Sequence, residues 1–269
     1  MSVDRRDLLV SALAAGSLPL ARAIGAVTTN EGTIMLPPSR IVELRQYTLH
    51  PGAVAEFTRL FEREFIVSQE ALGIRIVGIF RDLDDPDRFV WLRGFETMEA
   101  RGKALPAFYS GPVWHAHGKA ANSKMLDSDN VLPLRPAGEG GVFAPAVRTG
   151  APGVILAAVH YLNDFSLAPF ASFFAGHMAP DIAKEGAHFV GTFVTETSPN
   201  NFPSLPVREA DRVFVWLARF PNEAALDLFI RRFHRRSGWR EGVAESLLPA
   251  FARKPELIRL APSHASSLR

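Results

Sequence analysis

Four polar side chains stand where their neighbours read as core. Glu43, Arg45 and Tyr47 alternate with apolar residues in Val42-Glu43-Leu44-Arg45-Gln46-Tyr47-Thr48-Leu49, and Arg93 lies between Trp91 and Phe95. Residues two apart on a strand share a face, so each set is expected on one side of its strand. A buried guanidinium without a partner costs several kcal/mol, so each arginine needs a carboxylate or a ligand. Glu43 is the carboxylate at hand, and an ion pair is the simplest reading. The chemical reading is a pocket in which Arg45 or Arg93 holds an anionic or quinone-like oxygen and Tyr47 donates a hydrogen bond. Trp91 and Phe80 would then line it for an aromatic ligand; otherwise they are core.

Eight histidines are present, and none stands in a His-Glu-x-x-His pattern or a local two-His-one-carboxylate set. No metal site is expected, and no cofactor is predicted from motifs. Haem stays open because it needs only one proximal histidine. His177, in an apolar helix expected to face a cavity, is the strongest such candidate, and His160 sits on a strand. Gly138-Glu139-Gly140-Gly141 lacks the Lys and helix start of a phosphate loop, and no Gly-x-Ser-x-Gly elbow occurs. With no Cys at all, disulfides, thiolate metal sites and Cys nucleophiles are excluded.

The elements that must position these residues occur twice. At an offset of 113, Phe57 pairs with Phe170, Phe61 with Phe174, Gly73 with Gly186, Val77-Gly78 with Val190-Gly191, and Phe80 with Phe193. After an insertion of about twelve residues around Ser198-Pro199-Asn200-Asn201-Phe202-Pro203, the offset becomes 125. Val90-Trp91-Leu92 then matches Val215-Trp216-Leu217, and Trp114 matches Trp239. This is a duplication. On the first strand, copy two has Leu156, Ala158 and His160 against Glu43, Arg45 and Tyr47, and Ala218 stands against Arg93. Copy one alone keeps the polar set.

Hydrophobic periodicity predicts strands over 40–49, 74–80, 88–95 and 131–134, with helices over 54–72 and 97–108 and a partly helical stretch to 125. Gly73 suits a left-handed helix end. Copy two predicts strands over 154–162, 188–196, 212–220 and 257–260, and helices over 167–185, 223–235 and onward to 251. Each copy has the order βαββαβ, the ferredoxin-like motif. Such a sheet carries helices on one face, yet both faces are apolar, since Phe89, Trp91 and Phe95 oppose Val90 and Leu92. The expected fold is therefore α+β, with modules 40–135 and 153–261 joined by a Gly/Pro-rich linker (136–152) and closed face to face into an intrachain α/β barrel. A monomer is geometrically sufficient, and a homo-oligomer stays open.

The chain has 269 residues, 47% of them hydrophobic, including 20 Phe and 4 Trp. Thirty basic against 28 acidic residues give a formal +2. Only Arg231–Arg236 concentrates basic charge, so no nucleic-acid partner is expected. Asp4-Arg5-Arg6-Asp7, an apolar stretch from Leu8 to Leu20 and Ala21-Arg22-Ala23 read as a twin-arginine signal over 1–23. Such a stretch reaches about 20 Å as a helix, short of the roughly 30 Å hydrocarbon core. Export to the periplasm or beyond is expected, with no membrane span.

Val42–Leu49, the Pro51-Gly52 break and Val90-Trp91-Leu92 make copy one similar to the NIPSNAP family. Copy two departs from the pattern, with Ala157-Ala158-Val159-His160-Tyr161 where the family has Leu-Arg-x-Tyr. The resemblance implies the dimeric α/β-barrel superfamily, which also holds cofactor-free quinol monooxygenases, haem-binding chlorite dismutase-like proteins and stress-responsive barrel proteins. The family's own activity is poorly defined. The expectation is a small oxygenase, cofactor-free or haem-dependent, acting on an aromatic or quinol-like molecule in the barrel cavity. The alternative is a non-enzymatic periplasmic protein that binds a small apolar ligand or a partner.

Overall fold

The structure is a computed structural model that describes residues 38–138, 153–163, 167–235 and 251–269, with a two-residue ribbon pairing Val27–Thr28 and Ile34–Met35. The signal segment 1–23, most of the 136–152 linker and the expected helix before 251 lie outside the described residues. Eight strands form the frame: β1 Ile41–Leu49, β2 Arg75–Asp82, β3 Arg88–Phe95, β4 Met125–Pro136, β5 Val154–Tyr161, β6 His188–Thr195, β7 Val213–Phe220 and β8 Glu256–Pro262. Helix α1 runs through Val54–Leu60, Phe61–Phe65 and Ile66–Glu70, followed by α2 Met98–Tyr109 and α3 Pro112–Asn122. In the second half, α4 comprises Leu167–Phe173, Phe174–Met178 and Ala179–Lys184, and α5 is Glu223–Arg235.

The strands close into one antiparallel barrel, in the order β8-β2-β3-β1-β4-β6-β7-β5 and back to β8. Each half contributes a ferredoxin-like sheet. Two short seams join the halves: Leu134–Pro136 against Phe193–Thr195, and Leu260–Pro262 against Phe80–Asp82. Closure pairs the outer strands of the two sheets along these seams, which shortens the open edges that would otherwise invite aggregation. The duplication persists even in the irregularities. Both first helices widen into a π turn at matching positions, Phe61–Phe65 and Phe174–Met178. Both end on a left-handed glycine, Gly73 at φ 82° and Gly186 at φ 97°, as expected for the one residue without a Cβ penalty there.

Three apolar layers result. The barrel interior holds Val42, Leu44, Phe80, Val90, Leu92, Phe193, Val215, Leu217 and their neighbours from both sheets. It is a packed core. The Phe80 ring lies 2.3 Å from where a Cβ on Gly78 would stand, so only glycine fits beneath it. Leu268 joins this core from the C-terminal segment, which is anchored by Ser263 N–H to Ile79 O (2.8 Å) and Leu268 N–H to Val77 O (2.9 Å). The other two layers lie outside the barrel, between each sheet and its own helices.

β4 is longer than the expected 131–134. Its first half, Leu126-Asp127-Ser128-Asp129-Asn130, is mostly polar and exposed or half-buried, so periodicity is silent there, but it pairs with β1 as far as Met125 opposite Leu49. Among the described residues, no helix is long and apolar enough to cross a membrane.

Candidate functional site

The polar set of copy one gathers around a single carboxylate. β1 and β3 pair so that Glu43 stands opposite Arg93 and Arg45 opposite Trp91. Glu43 Oε2 accepts from Arg45 Nη1 (2.5 Å) and Arg93 Nε (2.7 Å), while Oε1 accepts from Arg101 Nε on α2 (2.6 Å). All four side chains are buried, Glu43, Arg45 and Arg93 completely. Arg45 Nε donates to the Tyr47 hydroxyl (2.8 Å), and Arg93 Nη1 reaches Gln69 Oε1 at 3.5 Å. Burial acts to raise the Glu43 carboxyl, but the charges of Arg93, Arg45 and Arg101 outweigh it and hold the group well below the usual carboxylate range. The Tyr47 phenol is pushed up by burial, with Arg45 opposing. At neutral pH the cluster is therefore one carboxylate, three guanidinium groups and a neutral phenol.

This cluster does not face the barrel interior. It belongs to the layer between the N-terminal sheet and helices α1–α3, together with Trp91 and Phe95. The expected pocket in the barrel is thereby moved to the opposite face of the sheet. Phe80 is separated from it, because Phe80 packs in the barrel core while Trp91 packs under the helices. The register shift between Ile76 and Gly78 alters the side-chain parity of β2 relative to β3. A small cavity of about 40 Å³ lies in this layer, lined by Tyr47, Phe61, Trp91, Tyr109, Trp114 and Leu205 among others. Its walls are edge-to-face aromatic pairs, such as Phe61 with Trp91 (4.7 Å between centroids) and Tyr109 with Trp114 (4.7 Å).

Two parts of the site escape sequence reasoning. Arg101 is one. The signal is available, because Arg101 shares a helix face with Ala104, Leu105 and Phe108 at the i, i+3, i+4, i+7 spacing of a buried stripe. The second is the insertion between β6 and β7. It reaches across from the C-terminal module and covers the N-terminal cluster. Arg101 Nη1 donates to Asn201 Oδ1 (2.7 Å) and Asn200 Oδ1 (3.0 Å), Asn201 Nδ2 donates to Met98 O (2.5 Å), and Phe202 stacks on Tyr109. A Cβ on Gly102 would stand 2.7 Å from Asn201 Nδ2, so glycine at that helix position lets the loop dock.

Copy two uses the same register without the charge: Leu156 stands opposite Ala218, and Ala158 opposite Trp216. His160 replaces Tyr47 and is sealed among Phe170, Phe214 and Phe251, with its Nε2 accepting from Trp216 Nε1 (3.0 Å). His177 is exposed and stacks on Phe173, contrary to the expected cavity-facing position. The π turn sends Phe174 and Met178 inward and turns His177 outward. An axial haem ligand needs an accessible nitrogen inside an enclosing cavity: His160 is sealed in core, and His177 lies on the exposed helix face, outside the lining of the cavity. Among the described residues, no group of three or more His, Asp or Glu side chains could hold a metal ion.

Residues 42–137 match the NIPSNAP family model. No curated protein matches the chain. Three solved structures share its fold over most of its length. A presumed monooxygenase from Lactobacillus acidophilus is 14% identical, covering 83% of this chain and 94% of its own, with a TM-score of 0.52. A presumed monooxygenase from Fusobacterium nucleatum is 7% identical, covering 85% and 94%, with a TM-score of 0.53. An anthrone oxidase-like protein is 9% identical, covering 83% and 91%, with a TM-score of 0.50. At these identities the likeness is one of fold alone.

The buried histidine gives a pH signature. Burial lowers the His160 imidazole to a pKa of about 4, against about 6.5 when exposed. The unfolded chain takes up the proton first, so the folded state has this contribution in full above about pH 6.5 and loses it as pH falls toward 4, a change of about 3 kcal/mol. Denaturant midpoints from pH 7 to 4 are expected to fall less steeply for His160→Gln than for the parent chain. Parallel slopes would contradict the assignment.

Proposed function

A NIPSNAP domain occupies residues 42–137, and we propose that its sheet–helix layer is an active site that oxidises an electron-rich aromatic or quinol-like molecule with dioxygen. One observation carries this reading. Arg45 Nε occupies the Tyr47 oxygen as a donor, and among the described residues no acceptor takes the Tyr47 proton, while Tyr47 lines the aromatic cavity. The phenol is thus set to donate to an oxygen placed in that cavity, with a fixed positive charge directly behind it. A phenolate, quinolate or enolate bound there would have its negative charge stabilised by Tyr47 and Arg45, and such oriented donors act strongly in a dry site. A cofactor-free oxidation asks for little more.

For a substrate bearing a methylene activated by flanking aromatic rings, one methylene group and one dioxygen molecule give one ketone carbonyl and one water. The carbon is oxidised by four electrons and both oxygen atoms are reduced. One oxygen ends in the new carbonyl, and the other leaves as water with the two methylene hydrogens. The substrate supplies all the electrons, so no external reductant enters. The cavity holds about three water-sized groups at its present 40 Å³, enough for dioxygen. An aromatic ring needs more room, which displacement of the Asn200–Leu205 loop would provide, since Leu205 forms part of the cavity wall. A protein that only binds such a molecule would show saturable binding without oxygen consumption.

Oxygen uptake with a panel of anthrones, naphthols and quinols, each in neutral and carboxylated form, tests the reading. The parent chain is expected to turn over at least one of them, and Tyr47→Phe to lower kcat about 100-fold while substrate affinity changes only a few-fold. No uptake across the panel, or full activity in Tyr47→Phe, would overturn it.

The twin-arginine segment Arg5-Arg6 with the apolar stretch to Leu20 supports export of the folded chain to the periplasm. Replacing both arginines with lysine is expected to retain the protein in the cytoplasm after fractionation. Unchanged partitioning would remove the proposal.

A further inference from the structure

The Glu43 cluster has more donors than its one carboxylate can serve. Both Glu43 oxygens are already engaged by Arg45, Arg93 and Arg101. Among the described residues, no ion pair links the three arginines to a second acid. The Nη2 groups of all three, and the Trp91 indole N–H, are buried without a hydrogen-bond partner. The Arg45 and Arg93 guanidinium groups both lie over the Trp91 ring, at 5.6 and 5.2 Å from its centroid. Four orphaned donors and a net +2 charge therefore share one buried layer. Water can accept hydrogen bonds, but it cannot offset charge, and burying uncompensated cations costs several kcal/mol each.

Folding does not require this arrangement. The C-terminal module builds the same strand register with Leu156, Ala158 and Ala218 in place of Glu43, Arg45 and Arg93, and its layer closes as plain core. Among the described residues this excess of donors occurs in the N-terminal module alone, in the layer that also holds the cavity, and an anion site requires such donors. Trp91 and Tyr47 belong to both features: they line the cavity, and they touch the arginines.

We propose that the N-terminal module takes a ligand with an ionised carboxylate, which docks on the Nη2 groups of Arg45, Arg93 and Arg101 and on the Trp91 N–H. This rests on the cavity as the binding site, as proposed above, and adds the class of molecule: an aromatic acid rather than a neutral aromatic. Guanidinium groups match carboxylate oxygens in pairs, which gives the site direction as well as charge. The arginines touch the cavity wall through Tyr47, Gln69 and Trp91 and do not line it themselves, so both the acid group and its ring need that wall to move.

Calorimetric titration of the full chain with benzoate, formate and neutral benzamide tests the proposal. Benzoate is expected to bind at least tenfold more tightly than benzamide, which has the same shape without the charge. Formate is expected to bind and to compete with benzoate. Arg93→Met is expected to weaken benzoate at least tenfold with the far-ultraviolet circular dichroism unchanged. Should that variant fail to fold, Arg101→Gln supplies the same comparison, and the parent chain's discrimination between benzoate and benzamide decides without any variant. Equal binding of the two, or no binding of benzoate and formate, overturns the proposal. Benzoate binding without oxygen uptake on any substrate would leave the anion site standing and remove the oxidation. Turnover of neutral quinols that benzoate does not inhibit would do the reverse.

Discussion

One carboxylate organises the N-terminal half of this protein. The two oxygens of Glu43 hold three guanidinium groups within 2.5–2.7 Å, and each arginine comes from a different element. Arg45 is on the same strand, Arg93 lies directly opposite on β3, and Arg101 is on α2. The cluster thereby ties sheet to helix at a point where apolar packing alone would suffice, as it does in the other half. Losing the carboxylate would leave three buried cations, whereas losing one arginine would leave two cations still paired with it.

Duplication makes the imbalance tolerable to the fold. Two equivalent sheets shut against one another, and the interior they share is filled by Leu44, Leu92, Phe193, Leu217 and similar side chains. The barrel core can secure the structure while the outer layers diverge. In the C-terminal layer, His160 is held neutral by burial and serves as acceptor for Trp216. The N-terminal layer carries the charge, the cavity and the aromatic walls. The C-terminal module still participates, because its inserted loop brings Asn200, Asn201, Phe202 and Leu205 over the site of its neighbour. The site is thus built by both halves, although its chemistry sits in one.

Much of this is legible in the residues. Alternation places Glu43, Arg45 and Tyr47 on one face, and the 113 and 125 offsets locate both modules and the insertion between their strands. Alternation does not say which face is which, however, so the polar set is expected inside the barrel and lies outside it. Phe80 and Trp91 group together in the sequence because each reads as a large apolar strand residue. A register shift in β2 decides their relative parity, and no local pattern encodes it. His177 illustrates the same limit on a helix, where a π turn rotates the residues that a regular period would point inward. The loop's role is beyond reach, since its partners lie about 100 positions away in the chain.

Glu43 permits three arginines to be buried together, and chemical denaturation of Glu43→Gln tests this most directly. A loss of about 3–5 kcal/mol is expected, partly recovered when Arg101→Met is added and one uncompensated charge is removed. A loss below about 1 kcal/mol, or a further drop in the double variant, would contradict it.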